Sequence, residues 1–117
     1  MVNLLKNSTP RVKIIQKLYS KTLNPDEKIV YNKSQYRKFI KDVTEGTIER
    51  RELIEETIEK FLKTDINLKK TDKLLKIFIY AAVFELLYKH NNPKKVIISE
   101  YLKTSQFFLE KAQIKYL

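Results

Sequence analysis

Two lysines, Lys94 and Lys95, follow Asn92-Pro93 directly and open a helical pattern. A cation pair in the first turn of a helix faces outward-pointing N–H groups, and both favour an anion. Phe107-Phe108 lies about one helix-length further on, and Lys115-Tyr116 lies near the end of the chain. The N-terminal segment adds Lys6, Arg11, Lys13 and Lys17. Cations neutralise phosphates and flat rings stack on unpaired bases, so these residue types together suit a single-stranded nucleic acid. Phe107 and Phe108 are consecutive and cannot both point into a core. One is peripheral, either packed under a loop or free to stack on a base.

The same inventory argues against catalysis. One glycine in 117 residues cannot build a phosphate-binding loop. His90 is the only histidine, and its place at a helix end suits a capping or dipole-complementing role. Cysteine is absent, which excludes disulfides, thiolate metal sites and a cysteine nucleophile. Carboxylates such as Glu55 and Glu56 fall on a face expected to be wet, where nothing raises the pKa of one for acid–base work. Ser99 and Ser105 have no base to activate them. The expectation is a binding protein with no enzymatic activity, no metal and no cofactor.

Charge is unevenly spread. The net charge is +10, from 24 basic and 14 acidic residues. Residues 1–23 carry five basic side chains and no acid, 24–62 carry eight basic and nine acidic, and 63–117 carry eleven basic and five acidic. The surplus sits at the two ends of the chain. It reads either as a face for a polyanion or as a lysine-rich solubilising surface, since 20 of the 24 basic residues are lysine. The longest apolar run, from Ile77 to Phe84, is far short of the roughly 20 residues that span a bilayer. No apolar signal segment stands at the N-terminus, and a cytoplasmic protein is expected.

The elements that must hold these residues are helical. One Gly and three Pro leave too few breakers for many short strands. Thr9-Pro10 supplies a hydroxyl cap and a proline at the first helical position, and Ile14, Ile15, Leu18 and Tyr19 follow at helical spacing. Lys13, Lys17 and Lys21 share another face, and Leu23-Asn24-Pro25 stops the helix. After a loop over 24–33, Ser34 is the expected cap of one long helix, or of two with a bend between Gly46 and Arg51, reaching Phe61. Thr71 or Asp72 caps a helix to about Lys89 that is apolar nearly all round and therefore central. Asn92-Pro93 starts the next, and a short piece from Lys111 to Leu117 closes the chain. The predicted fold is an all-α, compact single-domain bundle of about five to seven helices over residues 1–117.

In order and spacing these segments resemble the NusB family of bacterial transcription antitermination factors. PRVKIIQKLYS (Pro10 to Ser20) is similar to its first helix. Gln35 to Leu62 is similar to its Phe-containing helix and the Ile-rich segment that follows. TDKLLKIFIYAAVFELLYKHNNPKKVIISEYLKTSQFF (Thr71 to Phe108) is similar to its Tyr-Glu-Leu, Pro-x-Lys-Val and Ile-Asn-Glu blocks. The resemblance implies two packed helical sub-bundles and binding of boxA-like single-stranded RNA. It also implies a heterodimer with the small-subunit ribosomal protein NusE in the RNA polymerase elongation complex, supporting rRNA transcription. It carries RNA contacts onto Arg11, Lys94, Lys95, Phe108, Lys115 and Tyr116, and a partner-protein surface onto the region of Tyr19 and Leu75. Three departures stand out. The arginine-rich lead-in is reduced to Lys6 and Arg11, Ser99 and Tyr80 replace an Asn and an Arg, and the family's closing helix is expected to be missing after Leu117. Alternatives are a helical protein-interaction module without RNA, or the RNA-binding domain of an rRNA methyltransferase.

Overall fold

The computed structural model describes the backbone of residues 9–61 and 72–116, and the side chains of residues 10–61 and 72–108. Five helices are present: α1 (Thr9–Leu23), α2 (Arg37–Glu49), α3 (Arg51–Phe61), α4 (Lys73–Tyr88) and α5 (Lys94–Tyr116). There is no strand among the described residues, so the all-α reading stands.

Local chemistry sets most boundaries. Asn24 still donates its N–H to the Ser20 carbonyl at 2.9 Å, and Pro25 then ends α1. Asp72 caps α4, its carboxylate accepting from the N–H groups of Leu74 and Leu75 at 3.0 and 3.3 Å. The Pro93 carbonyl takes the first bonds of α5, from Val96 and Ile97 at 3.0 and 3.1 Å. Two boundaries differ from the sequence reading. Ser34 offers only its carbonyl, which accepts from Arg37 at 3.3 Å, and α2 begins behind Tyr36 with no side-chain cap. The chain from Lys111 is the last part of α5 and not a separate helix, because no breaker interrupts the pattern after Pro93.

α4 is the hub and packs against all four other helices. Ile77, Phe78, Ala81 and Phe84 of α4 meet Ile14, Ile15 and Leu18 of α1, Ile40 and Val43 of α2, Ile54 and Ile58 of α3, and Ile97 and Tyr101 of α5. Each fully buried Ile contributes about 1.5–3 kcal/mol relative to an exposed one. The sole glycine serves this packing. A Cβ on Gly46 would lie 2.2 Å from the tip of the Phe84 ring, so only glycine lets that ring rest on the backbone of α2.

Pairings along the helices fix their directions. α4 and α5 are antiparallel, since Phe78 stacks edge-on against Phe108 at 5.6 Å while Tyr101 bonds to Glu85. α1 is antiparallel to α4, because Arg11 meets Glu85 near one end and Leu18 shares a cleft with Ile77 near the other. α2 runs the same way as α1. Arg11 lies under Phe39 near their starts, and Leu18 and Thr22 face Thr47 and Ile48 near their ends.

Candidate nucleic-acid interface

These directions bring the starts of α1, α2 and α5 and the end of α4 to one end of the bundle. Arg11 sits at their centre. Its guanidinium donates to both oxygens of Glu85, Nε to Oε2 at 3.0 Å and Nη2 to Oε1 at 2.7 Å. It also lies 5.2 Å from the ring centre of Phe39 and 5.6 Å from that of Tyr101. Tyr101 donates its hydroxyl to the same Glu85 carboxylate. Burial, and then the Glu85 charge, push the Tyr101 phenol well above its usual pKa. Glu100 stands 3.9 Å from Arg11 on the outer side.

Around this centre the surface is cationic. Lys13, Lys38, Lys94 and Lys95 are exposed and have no carboxylate or hydrogen-bond partner among the described residues. Lys94 and Lys95 occupy the first turn of α5, where unbonded N–H groups add positive potential. Arg37 is also exposed at the start of α2 and spends its Nε–H on the Tyr31 carbonyl at 3.1 Å. Lys89 pairs with Asp42 at 3.4 Å. An end with several uncompensated lysines can neutralise several phosphates.

The residues singled out from sequence fall into three groups. Lys13, Lys94 and Lys95 are brought together at this end. Arg11 is there too, but it is 7% exposed and turned inward, so its charge is committed to Glu85. Phe108 is not there: it lies about 20 Å further along α5 from Lys94 at 1.5 Å per residue. It is half-buried between Phe78 and Phe107, at 5.6 and 5.3 Å. Of the consecutive pair, Phe107 is the buried ring. Lys6 and the side chains of Lys115 and Tyr116 lie outside the described residues. Tyr19 is 37% and Leu75 53% exposed, at similar heights on the antiparallel pair α1 and α4.

Part of the lysine row on α1 has another use. Lys17 donates to the Val30 carbonyl at 2.6 Å and lies 5.2 Å from the Tyr31 ring centre. Lys21 donates to the Glu27 carbonyl at 2.8 Å. Both hold the connection between α1 and α2 against α1. Partial burial, and then the Lys13 charge, lower the Lys17 pKa. Sequence reasoning missed Arg37 and Lys38 at the basic end, and missed Glu85 as the partner of Arg11. A signal for Glu85 existed: it is the single acid in an otherwise apolar helix, and such an acid needs a buried cation.

Among the described residues no helix is long and apolar enough to cross a membrane. No group of three or more His, Asp or Glu side chains there could hold a metal ion. The model of the NusB family matches residues 2–115. Three curated relatives are each named "Transcription antitermination protein NusB". The protein of Maricaulis maris is 27% identical over 68% of this chain and 49% of its own length. That of Nitrobacter hamburgensis is 28% identical over 65% and 48%. That of Mesorhizobium japonicum is 31% identical over 60% and 45%. The chain thus spans about half the length of the curated relatives it matches. No solved structure gives a significant match. A family match over nearly the whole chain, on an all-helical bundle whose Tyr-Glu-Leu and Pro-x-Lys-Val-like segments meet at one basic end, means that this chain belongs to the NusB family.

Proposed function

We propose that the protein is an RNA-binding transcription antitermination factor. It takes a boxA-like single-stranded RNA at the basic end of the bundle and acts in the cytoplasm within the RNA polymerase elongation complex, paired with the ribosomal protein NusE. The observation that carries the reading is the unpaired set Lys13, Lys38, Lys94 and Lys95 gathered around the starts of three helices. The names of its relatives support the same role. Lys94 and Lys95 neutralise phosphates. Arg11 acts as a positioning residue, fixing the start of α1 against α5 through Glu85 and Glu100. Phe108 and the segment bearing Lys115 and Tyr116 extend the surface along α5 toward bases. The region of Tyr19 and Leu75 receives NusE. None of these steps makes or breaks a covalent bond.

The test is titration of labelled boxA-like RNA at several salt concentrations, with and without NusE. Lys94→Ala with Lys95→Ala should lower the slope of log K against log salt by about 0.7 per lost phosphate contact. A slope equal to that of the unaltered protein would remove this end of the bundle from the RNA path.

A further inference from the structure

A second cationic site lies at the opposite end of α1. The end of α1, the start of α3 and the start of α4 enclose a cleft of about 400 Å³. Its floor is apolar and includes Leu18 and Ile77, both buried. Its rim carries Lys21, Arg51, Lys73 and Lys76. The carboxylate nearest to these cations is Glu55, 3.7 Å from Arg51, and it also accepts the Tyr80 hydroxyl at 2.7 Å. Four cations therefore face one acid. Lys73 and Lys76 have no hydrogen bond or ion pair among the described residues, and Lys21 gives its bond to a neutral carbonyl and keeps its charge.

From this arrangement we propose that the cleft binds a nucleoside polyphosphate. The volume lies at the lower end of that usual for small-molecule sites, with apolar walls and a few convergent polar groups. The floor and the Tyr80 ring would take a flat base, and the lysines and Arg51 would take the phosphates as charge-assisted donors. Residues that hold the ligand apolar side and its charged side at once favour this class over a bare inorganic anion. Lys21 is ten residues from Arg11 along α1, about 15 Å, so the cleft does not continue the basic end. The inference does not depend on the RNA reading.

The experiment is calorimetric titration of the full chain with adenosine and guanosine triphosphates, with adenosine and tripolyphosphate as half-ligands. Saturable binding of a nucleotide, tighter than of either half, is expected, with shifted NMR signals from Leu18 and Ile77. Lys73→Gln with Lys76→Gln should weaken it roughly tenfold, as loss of two charge-assisted contacts implies. Both lysines extend from the first turn of α4 without partners, so the fold should hold, and the unaltered protein's NMR shifts test the site independently. Lys94→Gln with Lys95→Gln should leave nucleotide binding unchanged. The proposal is overturned by absence of saturable binding, or by tripolyphosphate binding as tightly as the nucleotide. Equal loss in both lysine pairs, or displacement of the nucleotide by boxA-like RNA in proportion to RNA bound, would also overturn it.

Discussion

Arg11 and Glu85, 74 residues apart in sequence, meet through two hydrogen bonds of 3.0 and 2.7 Å with their side chains 8% and 0% exposed. The pair ties the start of α1 to the end of α4, and Tyr101 adds α5 to the same carboxylate. Removing one partner leaves the other charged and buried, which costs about 3–5 kcal/mol. Glu85→Ala and Arg11→Met should each lower the denaturation midpoint by that amount. The combination Arg11→Met, Glu85→Leu and Tyr101→Phe removes all three polar groups together and should recover most of the loss. If Arg11 only positions the basic end, this triple variant binds RNA with an unchanged salt slope. A slope reduced by a full contact would mean that Arg11 itself reaches a phosphate.

How much of this was legible in sequence depends on whether one helix or several decide the outcome. The near-continuous apolar surface of Leu74 to Leu87 marks α4 as central, and Asn24-Pro25 and Asn92-Pro93 mark helix ends by local sterics. The break at Arg50 follows from a weakened apolar stripe. The direction of Arg11 was not legible. A cation near the start of an amphipathic helix reads as surface, and only the fold brings Glu85, Phe39 and Tyr101 to it. Lys17 and Lys21 show the same limit: their spacing puts them on one face, but the loop that crosses that face has no periodic signal.

Gly46 tests the packing of α2 on α4. Alanine there would gain about 1 kcal/mol in helix propensity. Its Cβ, however, would meet the Phe84 ring at 2.2 and 2.4 Å. Phe84 is buried and its ring stacks on Tyr88 at 5.1 Å, so it has little room to yield. Overpacking of this kind costs about 1–3 kcal/mol. Gly46→Ala should therefore be net destabilising in thermal unfolding, and Phe84→Leu in the same chain should recover part of the loss. A more stable single variant would show that the ring moves aside freely.

The two braces on the α1–α2 connection should act locally. Lys17→Met keeps the stem against Tyr31 and removes the donor to Val30. For an exposed bond the loss is at most about 1 kcal/mol. Amide exchange in residues 24–36 should quicken while the core of α4 stays protected. Lys13→Met, on the same face without such a bond, is the control and should change nothing in that segment. Faster exchange in both variants would assign the effect to charge and not to the brace.

Alkaline pH should open the fold through its phenols. Burial and then Glu55 raise Tyr80 to about 12, and burial with a carboxylate partner also raises Tyr31 and Tyr101. An unfolded tyrosine titrates near 10. A pKa raised in the folded state means that folding favours the protonated phenol, so its stabilising contribution is complete below about pH 10. For Tyr80 it is lost progressively as pH rises from about 10 through 12. Helical circular dichroism and phenolate absorbance should therefore change together over that range. Tyr80→Phe should make the alkaline transition shallower, because one linked proton is gone. A phenolate signal from Tyr101 well before loss of helix, isolated by comparison with Tyr101→Phe, would mean that water reaches the Arg11–Glu85 site in the native bundle.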